Sequence, residues 1–259
     1  MKSPLFFGIG FILLLILWLP LLGLPFSTSG DSWITFLQSP ILHQALFLSI
    51  WTSLCSLGII MLLGTPLAWW LHNQKGRRAL SWGLLVEIPI ILPPAVTGIA
   101  LLRMFAPDAW FGSLLTTWGI SISFTPLAVI LAQIMVGTPF YVQGCANAFR
   151  SVPNEALTVA QTLGASPIYA FFRVAIPIAR PGIIVAAALA WARALGEFGA
   201  TLVFAGNMMG KTQTLPLAIF FTMESNMEGA VVLSIIALSI GTLLLFCLHI
   251  FSLKRVSPS

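Results

Sequence analysis

Arg193 and Glu197 stand four residues apart inside a long apolar run. At that spacing the two side chains share one face of a helix. An ionisable pair in such a run marks either a pathway for a polar solute or a neutralised clamp between helices, and the sequence leaves both readings open. Gly196, Gly199 and Thr201 lie beside the pair and join it as candidates for a translocation path or gate. The two glycines would let a neighbouring helix approach closely. Gly210-Lys211-Thr212 matches the end of a phosphate-binding loop, but Ala205 occupies the position of that loop's first glycine. The loop also needs a preceding strand and a following helix, so ATP binding is not expected here. Cys55, Cys145 and Cys247 lie inside apolar segments without C-x-x-C pairing, and His43, His72 and His249 are scattered. No metal site and no catalytic residue is expected from them.

The stretch from Arg150 to Pro177 carries its own helix signals. Ser151 can act as an N-cap, Pro153 sits near the first turn, and Glu155 suits the positive end of a helix. Ala156, Val159, Ala160 and Leu163 then repeat at helical spacing and form one apolar stripe. Gly164 is a natural stop, and Ser166-Pro167 opens another short turn. The stripe consists mainly of small residues, without aromatic anchors or a lysine-rich polar face. That composition suits docking into a protein groove better than lying on lipid.

The elements that position these residues are long apolar runs. A helix needs about 20 apolar residues to cross the hydrocarbon core, and six segments qualify: roughly 5–26, 42–71, 82–106, 125–148, 174–204 and 229–252. Continuous apolar runs without alternation exclude a β-barrel. The first run is nearly twice the length of a signal-peptide core and has no A-x-A-like site after it, which favours a span over a cleaved leader. Glu87 and Arg103, near the ends of the third run, read as anchors. Pro66, Pro89, Pro93, Pro94, Pro126 and Pro139 are expected to break or kink helices and so shape the bundle.

Composition agrees. Of 259 residues, 58% are hydrophobic and 7% are charged, against about 25% charged in a soluble domain. Lipid must be the solvent for one membrane domain, 1–259. The net charge of +5 forms no basic stripe with interleaved aromatics, so nucleic acid is not an expected partner. Basic residues gather on one side: Lys2; Lys75, Arg77 and Arg78; Arg150 and Arg173; Lys254 and Arg255. The opposite loops hold Asp31, Asp108, Glu224 and Glu228, with Lys211 their one clear base. The positive-inside rule then places both termini and the 149–173 loop in the cytoplasm, and 205–228 outside.

The segment Pro153 to Pro177 resembles the cytoplasmic loop of binding-protein-dependent ABC importer permeases, whose pattern is E-A-A, three residues, G, nine residues, I-x-L-P. Here the glycine is Gly164, and Val174-Ala175-Ile176-Pro177 stands for I-x-L-P. Thr158-Val159-Ala160 occupies the E-A-A positions, so the acidic residue is absent there, with Glu155 one turn earlier. The resemblance implies an all-α, MetI-like permease fold of six transmembrane helices. It makes Glu155, Ala156, Val159, Ala160, Leu163 and Gly164 a coupling helix, between the fourth and fifth spans, that seats in a cleft of a separate ATPase. ATP and Mg would be bound by that ATPase and no cofactor by this chain. Because one chain carries one coupling helix, a pair of ATPase sites implies a homodimer. A secreted or periplasmic oxyanion-binding protein is the remaining implied partner, at the cytoplasmic (inner) membrane.

Arg193-Ala194-Leu195-Gly196-Glu197-Phe198-Gly199 resembles a stretch common to molybdate and sulfate permeases, and Gly210-Lys211-Thr212-Gln213-Thr214-Leu215-Pro216-Leu217 resembles the molybdate branch. Ile91-Leu92-Pro93-Pro94-Ala95-Val96-Thr97-Gly98 agrees with that branch. Molybdate or tungstate is the expected cargo, with sulfate or thiosulfate the alternative. A secondary transporter would call for internal inverted repeats, and none stands out.

Overall fold

The computed structural model describes residues 4–253, with side chains described except at 4, 5, 7, 244, 245 and 247–253. Lys2, Lys254 and Arg255, which entered the orientation argument, lie outside the described residues, as do the side chains of Cys247 and His249. The described residues form helices and no strands. α1 spans Pro4–Gly23, α2 Gly30–Leu37, α3 Pro40–His72, α4 Gly76–Ile91 and α5 Pro94–Phe105. α6 spans Trp110–Thr117, α7 Pro126–Phe149, α8 Asn154–Thr162, α9 Pro167–Ala170 and α10 Ile176–Leu195. α11 spans Gly199–Ala205, α12 Leu215–Ser225 and α13 Met227–Leu253.

Among the described residues, four continuous helical stretches are long and apolar enough to cross a membrane: Gly8–Ser27, Pro40–His72, Pro126–Phe149 and Pro167–Leu195. The bent pair α4–α5 makes a fifth if counted as one span. At 1.5 Å per residue α3 is roughly 50 Å long, well beyond a hydrocarbon core of about 30 Å. It therefore tilts or projects into water.

α7 is the centre of the bundle, with α3 and α10 packed along it most extensively. In the apolar window of α7, 56% of residues are buried within the protomer, against 0% for the first stretch. The described side chains of that first stretch stay largely on the protomer's surface. Small residues bring the central helices together. A Cβ on Gly144 would lie 2.7 Å from the Ala186 side chain, and one on Gly182 2.5 Å from that of Ala148.

Buried polar groups then tie the same three helices. The Ser56 hydroxyl lies 2.8 Å from the Thr52 carbonyl, 3.2 Å from the Ile130 carbonyl and 2.9 Å from Gln133 Oε1. The Trp191 indole donates to Ser53 at 2.9 Å, and Thr65 and Tyr141 share a hydrogen bond of 2.7 Å. Away from water each such group needs a protein partner, so these bonds also set the register of the helices.

Several expected segments differ in shape from the observed helices. Residues 82–106 do not form one straight rod, because α4 and α5 meet at 103°. Leu92 and Pro93 each precede a proline, and their ψ angles are extended at 132° and 136°. A residue before proline is pushed out of the helical region, so the chain turns there. Residues 174–204 are not one helix either. A continuous stretch starts earlier, at Pro167, and ends at Leu195 before a separate α11. Its first part passes through a π-type turn, Phe171–Ala175.

Of the prolines expected to kink helices, Pro66, Pro89 and Pro139 lie within them, but Pro94 and Pro126 stand in first turns. There the missing N–H costs nothing and the fixed φ favours initiation. Residues 205–228 contain the packed helix α12, with Leu217 and Ala218 fully buried, rather than only a solvated loop. Near the N-terminus the Glu228 carboxylate accepts from the Ser29 and Ser32 hydroxyls. This fastens the start of α2 to the start of α13.

Candidate functional site

α8 is held against the bundle by Leu157, which packs on the core around Phe149 and Tyr141. Its N-cap position is Pro153, without a side-chain cap. Ser151 does not cap it, since its hydroxyl donates to the Ala148 carbonyl at the end of α7. Glu155 lies in the first turn and is exposed. The helix closes at Gly164, whose φ is +89°. The Gly164 N–H donates to the Gln161 carbonyl at 2.9 Å and the Ala165 N–H to the Ala160 carbonyl at 3.0 Å. That pair of bonds is a Schellman turn, and it requires the left-handed conformation a glycine supplies.

The apolar stripe does not turn inward. Val159 is 58% exposed and Leu163 83%, while Ala156 and Ala160 are half-buried. Ala160, Leu163, Gly164, Ala165, Ser166 and Tyr169 line an open depression of about 620 Å³. Ile168, Tyr169 and Phe172 continue the exposed apolar surface beside it. Ser166 caps α9 by accepting from the Tyr169 N–H at 3.2 Å, which fixes Tyr169 at the rim. The whole element is a short helix on a rigid stem, with an apolar face still to be covered.

Arg193 and Glu197 meet at 2.9 Å, from the guanidinium Nη1 to Oε2. They do not share a continuous helix. α10 ends at Leu195, and Glu197 stands in the break before α11. Its second oxygen accepts the Ala200 N–H at 2.8 Å, so one carboxylate both neutralises Arg193 and satisfies a free amide at the start of α11. Glu197 is 1% exposed, whereas the Arg193 side chain is 32% exposed.

The glycines beside the pair differ from one another. A Cβ on Gly199 would come within 2.9 Å of Pro94 Cβ, but one on Gly196 would meet only the Ala192 carbonyl at 3.5 Å. Gly196 therefore ends α10 without serving a close helix contact, and Gly199 does serve one. Gly98 mirrors Gly199 from the other side, since its Cβ would lie 2.9 Å from the Ala200 carbonyl. The stretch Ile91–Gly98 thus packs directly on Gly199–Ala205. Thr201 is fully buried and its hydroxyl has no hydrogen-bond partner, so it is not exposed to a path in this conformation.

The stretch from Gly206 to Leu217 is also built into the protein. Three successive amides, of Lys211, Thr212 and Gln213, converge on the Met208 carbonyl, and the buried Thr212 hydroxyl accepts the Met208 N–H at 3.0 Å. The Leu215 N–H donates to Ser49 on α3 at 2.6 Å. Its amides are used internally, so it is no phosphate cradle. Sequence reasoning missed Gln133 and the row Ser49, Thr52, Ser53 and Ser56. Their signal was present as polar residues at helical spacing within an apolar run.

The chain matches the family described as binding-protein-dependent transport system inner membrane component over residues 60–258. It is 38% identical over 225 residues to the molybdenum transport system permease protein ModB of Mycobacterium tuberculosis, covering 87% of this chain and 85% of that protein. It is 31% identical over 234 residues to a probable sulfate transport system permease protein, cysT, of Chlorokybus atmophyticus, covering 88% of this chain and 81% of that protein. A bacterial ABC transporter involved in the import of the acidic polysaccharide alginate has a chain that superposes with a TM-score of 0.78 at 17% identity, over 98% of this chain and 96% of that one. That last likeness is one of fold.

Proposed function

We propose, from the premise that this chain belongs to the binding-protein-dependent transport system inner membrane components, that it carries molybdate or tungstate across the cytoplasmic membrane. It is the permease subunit of an ABC importer and not itself an enzyme. ATP and Mg belong to a partner ATPase, and a secreted or periplasmic oxyanion-binding protein delivers the cargo. The observation that supports the mechanism is α8, a rigidly terminated helix with its apolar side exposed. Seated in an ATPase cleft, it would convert nucleotide-driven motion into alternating access of the bundle. One such helix per chain supports a homodimer.

The substrate rests on 38% identity to a molybdenum permease against 31% to a probable sulfate permease. Sulfate or thiosulfate stays the second reading, because the Arg193 to Gly199 stretch resembles both branches. Molybdate, tungstate and sulfate share shape and charge, so fine selectivity resides in the binding protein. Reconstituted importer with its cognate binding protein is expected to take up molybdate, with tungstate competing and sulfate competing poorly. Sulfate uptake at concentrations where molybdate does nothing would overturn the assignment.

Six membrane crossings with both termini cytoplasmic follow from the basic residues at 75–78, 150 and 173. A cysteine introduced at position 155, with native cysteines replaced, should react with an impermeant maleimide only after cells are opened. Labelling in intact cells would reverse the orientation.

A further inference from the structure

A cavity of about 80 Å³ lies where the α4–α5 bend meets the end of α10, lined by Thr97 and Arg193 among apolar groups such as Pro89, Ile90, Val136 and Phe140. Three independent features converge on it. Thr97 is 2% exposed, and it lines the cavity. Arg193 donates one hydrogen bond, to Glu197. A guanidinium has five N–H donors, so four remain for a ligand. Pro94, the first residue of the 12-residue α5, also lines the cavity. The positive end of that helix therefore adds favourable potential for an anion.

We propose that Thr97 and Arg193, at the bend between α4 and α5, form a transient contact site for a tetrahedral oxyanion on its way through the membrane domain. The proposal rests on the oxyanion reading above and adds the place where the protein touches the cargo. Taking about 30 Å³ per liquid water, the cavity holds two or three waters or one four-oxygen anion. A third of the Arg193 side chain is accessible in the protomer, and residues 93–96 around the bend are exposed. A guanidinium facing hydrocarbon would be costly, so the anion's passage would run along this face.

Glu197 sets the strength of the contact. It cancels the charge of Arg193, so the anion meets directed donors without an uncompensated positive site. Binding stays weak enough for release, as a conduction pathway requires.

The test uses the complete importer in liposomes, with radiolabelled molybdate and sulfate as probes. Thr97→Val keeps the shape of the side chain and removes the donor. A hydrogen bond to a charged group is worth roughly a tenfold change, so the maximal uptake rate should fall about tenfold. The half-saturating concentration, set by the binding protein, should not move, and the complex should purify in wild-type amount. Thr97→Ser restores the hydroxyl and should restore uptake. Equal rates for wild type and Thr97→Val overturn the site while leaving the oxyanion reading standing. Loss in both variants shows that the methyl packing matters and also overturns it. If the wild type takes up neither anion, the oxyanion reading fails and the site falls with it.

Discussion

Gly164→Val is expected to leave the permease inserted in the membrane while uptake falls below a tenth of the wild-type rate. At φ +89° a β-branched residue is a steric outlier. Left-handed backbone costs an ordinary residue roughly 1–2 kcal/mol. Nothing lies within 4 Å of the position a Cβ would take, so the effect is one of backbone conformation and not of crowding. Relaxing φ breaks the bonds from Gly164 to Gln161 and from Ala165 to Ala160, and α8 loses its end and its angle to α9. Ala160→Glu tests the same element by chemistry. It places a charge in the depression shared with Leu163 and Tyr169, where docking would strip its water. Uptake assays paired with copurification of the ATPase check both variants. Normal transport with normal ATPase association in the two would remove α8 from the mechanism.

Glu197→Ala should produce the largest loss of stability. One substitution leaves Arg193 without its partner and the Ala200 amide without an acceptor. Removing one member of a buried ion pair costs about 3–5 kcal/mol. The accessible third of the Arg193 side chain brings this to the lower end, about 3 kcal/mol, through solvent screening. Thermal unfolding of purified protein in detergent is the measurement, and an unchanged midpoint would show that the carboxylate carries no structural weight.

Arg193→Ala tests the other half of the pair. It leaves the buried Glu197 carboxylate with only the Ala200 amide, so stability falls as well, and the donors facing the cavity disappear. Uptake is expected to drop far more than in Lys75→Ala, whose side chain is exposed. A mutant with wild-type uptake and melting would show that the pair matters little.

Much of the local structure was legible in the sequence. The short turn opened by Ser166-Pro167 and the glycine closing α8 act within a few residues through fixed φ and short hydrogen bonds, and need no knowledge of the rest of the fold, whereas Pro94 and Pro126, expected to kink helices, start them instead. The long apolar runs likewise dictate helices, because lipid offers the backbone no other partner. The helix α8 was therefore readable nearly to its ends, apart from Ser151, which bonds back to α7.

What tertiary structure alone decided is which face of each helix looks inward. In lipid the outer face is as apolar as the core, so hydrophobic periodicity carries little of that information. Ser49, Thr52, Ser53 and Ser56 report the inner face of α3 only once α7 and α10 supply Gln133, the Ile130 carbonyl and Trp191. The same holds for Gly196 and Gly199, alike in sequence and different in role because Pro94 approaches one and nothing approaches the other. Glu197 was identified as the partner of Arg193 from spacing. Its second bond is local, to the Ala200 amide three residues on, but its place in a break where α5 packs against α11 depends on a segment about a hundred residues away.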